Sequence, residues 1–171
     1  MDSLRAYIIP FRNLYNGLHE YIWDLDASFF KNFESSPLRE GDFKVEMQLD
    51  KQDEISTVIL KIRGKFPSVC DRCLAEIVIP VIKAQQFYIK NGIETSEDPD
   101  LVYLSPEASE LNVAELLYDY VCLSLPLLQR IDCEKMDDPP CNYDVLSRIQ
   151  KEDELQADLS VWDILKNINK N

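Results

Sequence analysis

Glycine is scarce in this 171-residue chain, with four residues in all. Neither G-x-G-x-x-G nor G-x-x-x-x-G-K-[ST] occurs, so the common Gly-rich phosphate cradles are excluded. Histidine occurs once, at His19, which leaves little room for Ser-His-Asp or H-E-x-x-H chemistry. No apolar run approaches the ~18 residues of a membrane-spanning helix. Met1-Asp2-Ser3-Leu4-Arg5 also lacks the basic and apolar regions of a secretory signal. A cytoplasmic protein with no membrane contact is therefore expected. In that compartment paired cysteines point to metal or redox chemistry rather than to structural disulfides.

What is present is ordinary in bulk and uneven in detail. The chain is 46% apolar and 29% charged, the composition of a globular domain long enough to bury a core without a staple. The formal net charge is −13. Between Lys61 and Lys90, however, six basic residues stand against two acidic ones, and between Asn91 and Asp158 seventeen acidic residues stand against four basic. A basic ribbon on an acidic protein can orient it against an RNA–protein surface, whereas solvated strand faces and acidic loops are the plain alternative.

The first two-thirds read as β-structure. Tyr7-Ile8-Ile9 is a short apolar run closed by Pro10. His19 to Leu25 and Phe43 to Leu49 alternate with period two. The polar cluster at Lys51 to Glu54 makes a turn, and Ile55 to Phe66 returns, with Leu60 and Ile62 on one face and Lys61, Arg63 and Lys65 on the other. Ala27 to Phe33 suits a short helix or an irregular bridge. Val81 to Ile89 is strand-like, and Pro80 before it belongs at an edge or bulge because it donates no ladder hydrogen bond. An acidic loop at 91–100 leads to a short strand at Leu101 to Leu104.

Helices follow. Asn112 with Glu115 three residues on resembles a capping box, and Val113, Leu116, Leu117, Tyr120 and Val121 form one helical face that Pro126 should end. Tyr143 to Ile149 suits a short helix, Lys151 to Asp158 a charged linker, and Leu159 to Ile168 an amphipathic C-terminal helix. Strands first and helices later predict an α+β fold: an antiparallel sheet largely from the N-terminal two-thirds, helices mainly in the C-terminal third. The expected organisation is a single domain over 1–150, with the linker and final helix over 151–171.

Five cysteines are present. Cys70-Asp71-Arg72-Cys73 is half a zinc knuckle, since a two-residue gap lets both thiolates reach one tetrahedral centre. Cys133 and Cys141 would complete the site, across a seven-residue gap that closes only if the loop folds back. Three chemistries stay open: structural zinc on Cys70, Cys73, Cys133 and Cys141; reduced, partly buried thiols without metal; and a thiol–disulfide catalyst. The last needs a thiol activated at a helix N-terminus, whereas Leu74 to Ile82 is strand-like. Cys122, between Val121 and Leu123, reads as packing, and His19 as structural.

Three separated features together resemble a known family. They are the knuckle Val69-Cys70-Asp71-Arg72-Cys73-Leu74 with a following strand that ends in Phe87 and Tyr88; a helix ending Leu123-Ser124-Leu125-Pro126 with Cys133 beyond it; and the amphipathic stretch Val161 to Ile168. Across about residues 40 to 168 the chain resembles the YceD family, the large ribosomal RNA subunit accumulation proteins. The resemblance implies a bacterial cytosolic factor supporting large-subunit ribosomal RNA accumulation or processing, with no enzyme activity. The family's knuckle and later Cys or His positions fall on Cys70, Cys73, Cys133 and Cys141. Cys122 departs from it, standing where an aliphatic residue is usual. The expected partner is a ribosomal RNA precursor or a ribosomal protein, contacted through Lys61, Arg63, Lys65 and Arg72, with no small-molecule substrate. A protein-interaction module without RNA contact is the alternative from another class.

Overall fold

The computed structural model describes residues 4–33, 37–93, 98 and 100–158. Its class is the expected one: a five-stranded sheet, a two-stranded ribbon and helices placed mostly late in the chain. The sheet order is β2 (Gly17–Leu25), β3 (Asp42–Lys51), β4 (Ile55–Val69), β5 (Glu76–Asn91) and β6 (Leu101–Leu104). The ribbon joins β1 (Ile8–Ile9) to β7 (Leu111–Asn112).

Period-two hydrophobicity sets the register. Antiparallel pairing puts Val45 opposite Ile62, Met47 opposite Leu60 and Leu49 opposite Val58, all six fully buried. Each such side chain stabilises the fold by ~1.5–3 kcal/mol, so a one-residue slip would expose the whole set. The other face is open to solvent and carries the charges. There Lys44 stands opposite Arg63, Glu46 opposite Lys61 and Asp42 opposite Lys65. On the far side of β3, Asp24 and Ile22 of β2 face Lys44 and Glu46.

The link from β2 to β3 is anchored by α1 (Ala27–Phe30). Asp26 caps it, its carboxylate accepting the Ser28 N–H at 2.8 Å and the Phe29 N–H at 3.2 Å. Those bonds to the ionised form, led by the Ser28 side chain, hold the Asp26 carboxyl below its usual range. The cap turns Phe29 and Phe30 into the core.

α2 (Ala114–Ser124) buries Leu117, Tyr120 and Val121, and Tyr120 stacks on Phe87 of β5 at 5.0 Å between ring centres. Its start differs from the capping-box expectation. Asn112 is a strand residue paired with Ile8, and Val113 occupies the cap position. Asn112 still satisfies one free donor, accepting the Ala114 N–H at 3.0 Å. Pairing with β1 has taken the residue that local sequence would have used as a cap.

A second difference lies at the other end. α3 runs from Tyr143 to Asp158, so the stretch read as a charged linker continues the helix. The C-terminal helix expected at Leu159 to Ile168 lies outside the described residues. No described helix is long and apolar enough to cross a membrane.

The chain divides into two compact units: Met1–Pro67 with Val78–Leu127, and Ser68–Ile77 with Leu128–Asn171. The first contains most of the sheet and nearly all of the buried apolar residues. In the second, among the described residues, only Cys70, Cys73 and Ile77 are buried.

Candidate metal centre

The knuckle is the six-residue connection between β4 and β5, a length that can close only an antiparallel pair. The Cys70 N–H donates to the Ala75 carbonyl at 2.8 Å and the Leu74 N–H to the Cys70 carbonyl at 2.9 Å. To make this turn Leu74 adopts φ +56°, the one left-handed non-glycine residue among those described. That conformation costs a residue with a Cβ roughly 1–2 kcal/mol. Leu74 recovers little by packing, since 63% of it is exposed.

The strain has a chemical return. The N–H groups of Asn142 and Ala75 both donate to the Cys73 sulfur, and they hold its thiol below the ordinary cysteine range. A Leu74→Gly change should keep this turn without strain and make the knuckle more stable by about 0.5–1 kcal/mol, after glycine's extra unfolded-state entropy. Slower amide exchange across Cys70 to Ala75 would verify it; faster exchange would show that the left-handed turn is not native.

The distant cysteine segment is tied to this turn by a reciprocal pair of bonds. The Asp71 N–H donates to the Gln129 carbonyl at 2.9 Å, and the Gln129 N–H donates to the Asp71 carboxylate at 2.6 Å. The Ser68 hydroxyl donates to the Gln129 side chain. From there a 3-10 turn at Cys133–Lys135 reverses the chain, and the loop folds back so that Cys141 and Asn142 reach Cys73. The wide Cys133–Cys141 gap is thereby closed.

Cys70, Cys73, Cys133 and Cys141 line one recess of about 440 Å³, with Arg72, Arg130, Ile131, Asp132 and Leu146. The thiols touch in sequence: Cys70 with Cys73, Cys73 with Cys141, and Cys141 with Cys133. The hydrogen bond to Cys133, followed by burial, pushes the Cys141 thiol up to about 11. All five cysteines, including these four, are free thiols. Among the described residues, no group of three or more His, Cys, Asp or Glu side chains already stands in a metal-binding arrangement. The four thiols nonetheless line one recess, where the Cys133 thiol donates to the Ile131 carbonyl at 3.6 Å.

The donor set fits zinc. Four sulfurs form the closed shell of a structural site, and backbone N–H bonds to sulfur are the outer contacts such sites use. Neither Cys70 nor Cys73 lies at a helix N-terminus, because the following residues enter β5.

The other predicted residues fall in two places. Lys61, Arg63 and Lys65 share the open face of β4, whereas Arg72 lines the cysteine recess. Arg130, which sequence reasoning passes over, lines it too; its distance from the knuckle in the chain hides it. Cys122 is half-buried away from the recess, and burial raises its thiol. His19 bonds the Tyr15 carbonyl at 2.8 Å and packs against the Tyr15 ring, in line with a structural role.

Comparison with models of known protein families, with curated proteins and with solved structures finds no match.

Proposed function

We propose that this chain is a non-catalytic accessory factor in large-subunit ribosomal RNA accumulation, built on a zinc-stapled knuckle and contacting RNA through the open face of its sheet. Zinc would be held by Cys70, Cys73, Cys133 and Cys141, where it would supply cross-linking and no bond chemistry. The observation that carries the zinc reading is that the turn and the distant loop bring four cysteines, Cys70, Cys73, Cys133 and Cys141, to one recess, the donor number and type of a closed structural zinc shell.

The RNA contact rests on one cross-strand pair. Lys44 and Arg63 lie directly opposite each other, and like charges so placed are destabilising, although Asp24 on the other side of Lys44 offsets part of that charge. A phosphate between them would relieve that repulsion. Lys61 and Lys65 are poorer candidates than the basic ribbon suggests, because the register gives them Glu46 and Asp42 as neighbours.

Glutamate at both Lys44 and Arg63 should weaken binding to a ribosomal RNA precursor and lower the salt slope by about 0.7–0.9 for each phosphate no longer neutralised. The same change at Lys61 and Lys65 should do less. Equal effects from the two double variants would overturn this assignment. Deletion of the gene should reduce mature large-subunit RNA, with normal precursor levels counting against the whole reading.

The neutralised Lys61 and Lys65 favour a second reading, in which the acidic protein grips a basic ribosomal protein. Association that survives nuclease treatment would support it.

A further inference from the structure

β5 is an inner strand over only part of its length. Parallel pairing with β6 covers Tyr88 to Asn91, and among the described residues no strand covers Val78 to Phe87 on that side. The direction of the free groups can be read from the ladder. The Tyr88 N–H donates to the Asp100 carbonyl at 2.8 Å, so even-numbered residues of β5 turn their backbone toward this side. Burial of Ile77, Ile79 and Val81 before, and of Phe87 and Ile89 after, an exposed stretch at Ile82 to Ala84 falls on the same odd parity, so the alternation runs in phase from one end of the strand to the other. The N–H groups of Ile82, Ala84 and Gln86 therefore point out of the sheet. Pro80 lies on the same parity, so its missing N–H is absent from the open side and costs the β4 ladder nothing.

A groove of about 350 Å³ runs beside this edge, between Pro80–Lys83 and the end of α2 with its following loop, Leu123 to Leu127. Ile82 is 78% exposed, Leu123 71% and Leu127 fully. A long, exposed strand edge beside uncovered leucines is a template for another strand.

We propose that the β5 edge binds an extended, basic segment of a partner protein by strand addition, with alternate apolar side chains entering the groove. Backbone bonds to Ile82, Ala84 and Gln86 would supply affinity, and Leu123 and Leu127 the apolar contacts. Charge selects a basic occupant. Asp100 stands at the start of β6, where an added strand would end, and Asp119 shares electrostatic reach of the Tyr120 hydroxyl with it. The net charge of −13 acts in the same sense at long range. Lys83 can lay its methylenes along the groove with its ammonium in water. A second copy suits the edge less well, because its like net charge repels. This site is independent of the RNA contact proposed above.

The test uses the full chain and a labelled, end-blocked peptide of alternating valine and threonine ending in Lys-Arg, followed by fluorescence anisotropy and amide shifts. Saturable binding with shifts at 78–87 is expected. Ala84→Pro removes one outward N–H and should weaken binding about fivefold. Leu127→Glu, at a fully exposed side chain that cannot disturb folding, should weaken it as well. Absence of saturable binding, or unchanged affinity in both variants, overturns the proposal. So does equal or tighter binding of the same peptide ending in Asp-Glu. Concentration-dependent dimerisation of the chain that Ala84→Pro abolishes would assign the edge to a second copy and overturn it too.

Discussion

Replacing Cys73 by serine is expected to abolish zinc binding and unfold the second unit while the sheet unit stays folded. Cys73 is the central donor of the recess: its sulfur accepts two backbone N–H groups and touches both Cys70 and Cys141. A serine hydroxyl is a weak zinc ligand that keeps its proton, so the closed four-sulfur shell is lost. In zinc-finger peptides such a shell supplies roughly 10–16 kcal/mol of apparent binding free energy, which is also folding free energy. Cys70 and Cys73 are two of the three buried apolar residues described in the second unit, so losing the shell also loosens the packing around the turn. The first unit keeps the β3–β4 core and does not depend on the metal.

Metal analysis of protein purified under reducing conditions without chelator should therefore find near-stoichiometric zinc in the natural chain and almost none in the variant. Helical signal from α3 should fall, and amides of Ser68 to Ile77 should exchange as in an unfolded chain. Cys122→Ser is the control, since Cys122 lies outside the recess, and its zinc content should not change. Zinc-free natural protein, or a variant that retains zinc, would refute the staple.

Legibility in the sequence follows the range of the interaction concerned. The β3–β4 hairpin is readable because alternation at Val45, Met47, Leu60 and Ile62 is local and one face is buried. The start of α2 is not, because Asn112 is claimed by β1, about a hundred residues earlier in the chain. The helical course of Lys151 to Asp158 is hidden by a charge density that suggests a linker, although Glu, Gln, Lys and Ala are good helix formers. The four site cysteines can be chosen by spacing and elimination. The device that brings them together cannot, since it consists of a long-range pair of bonds between Asp71 and Gln129, one between backbones and one onto the Asp71 carboxylate, and a left-handed Leu74 where glycine would have been a visible sign. Likewise the basic ribbon is visible as composition, but its neutralisation by Glu46 and Asp42 is a property of register.

Gly64→Ala is expected to destabilise the protein by about 1–2 kcal/mol. Gly64 sits opposite Phe43 in the ladder. A Cβ there would lie 2.8 Å from the Phe43 Cα, with the Asp42 carbonyl oxygen closer still and the Phe43 ring also in the way. The ring can rotate, but the two backbone atoms can move only if the strands part. Overpacking of this kind costs typically about 1–3 kcal/mol and sometimes more, partly offset by the roughly 0.5–1 kcal/mol that alanine gains over glycine within a strand.

The consequence reaches the open face, because the next pair in the ladder is Lys44 with Arg63. Parting the strands at Phe43 separates those two charges and should weaken RNA binding without removing either one. Urea unfolding and RNA titration of the same variant would measure both effects. An unfolding midpoint equal to that of the natural chain would mean that Gly64 does not face Phe43. The register that places Lys44 beside Arg63, and with it the proposed phosphate contact, would then be wrong.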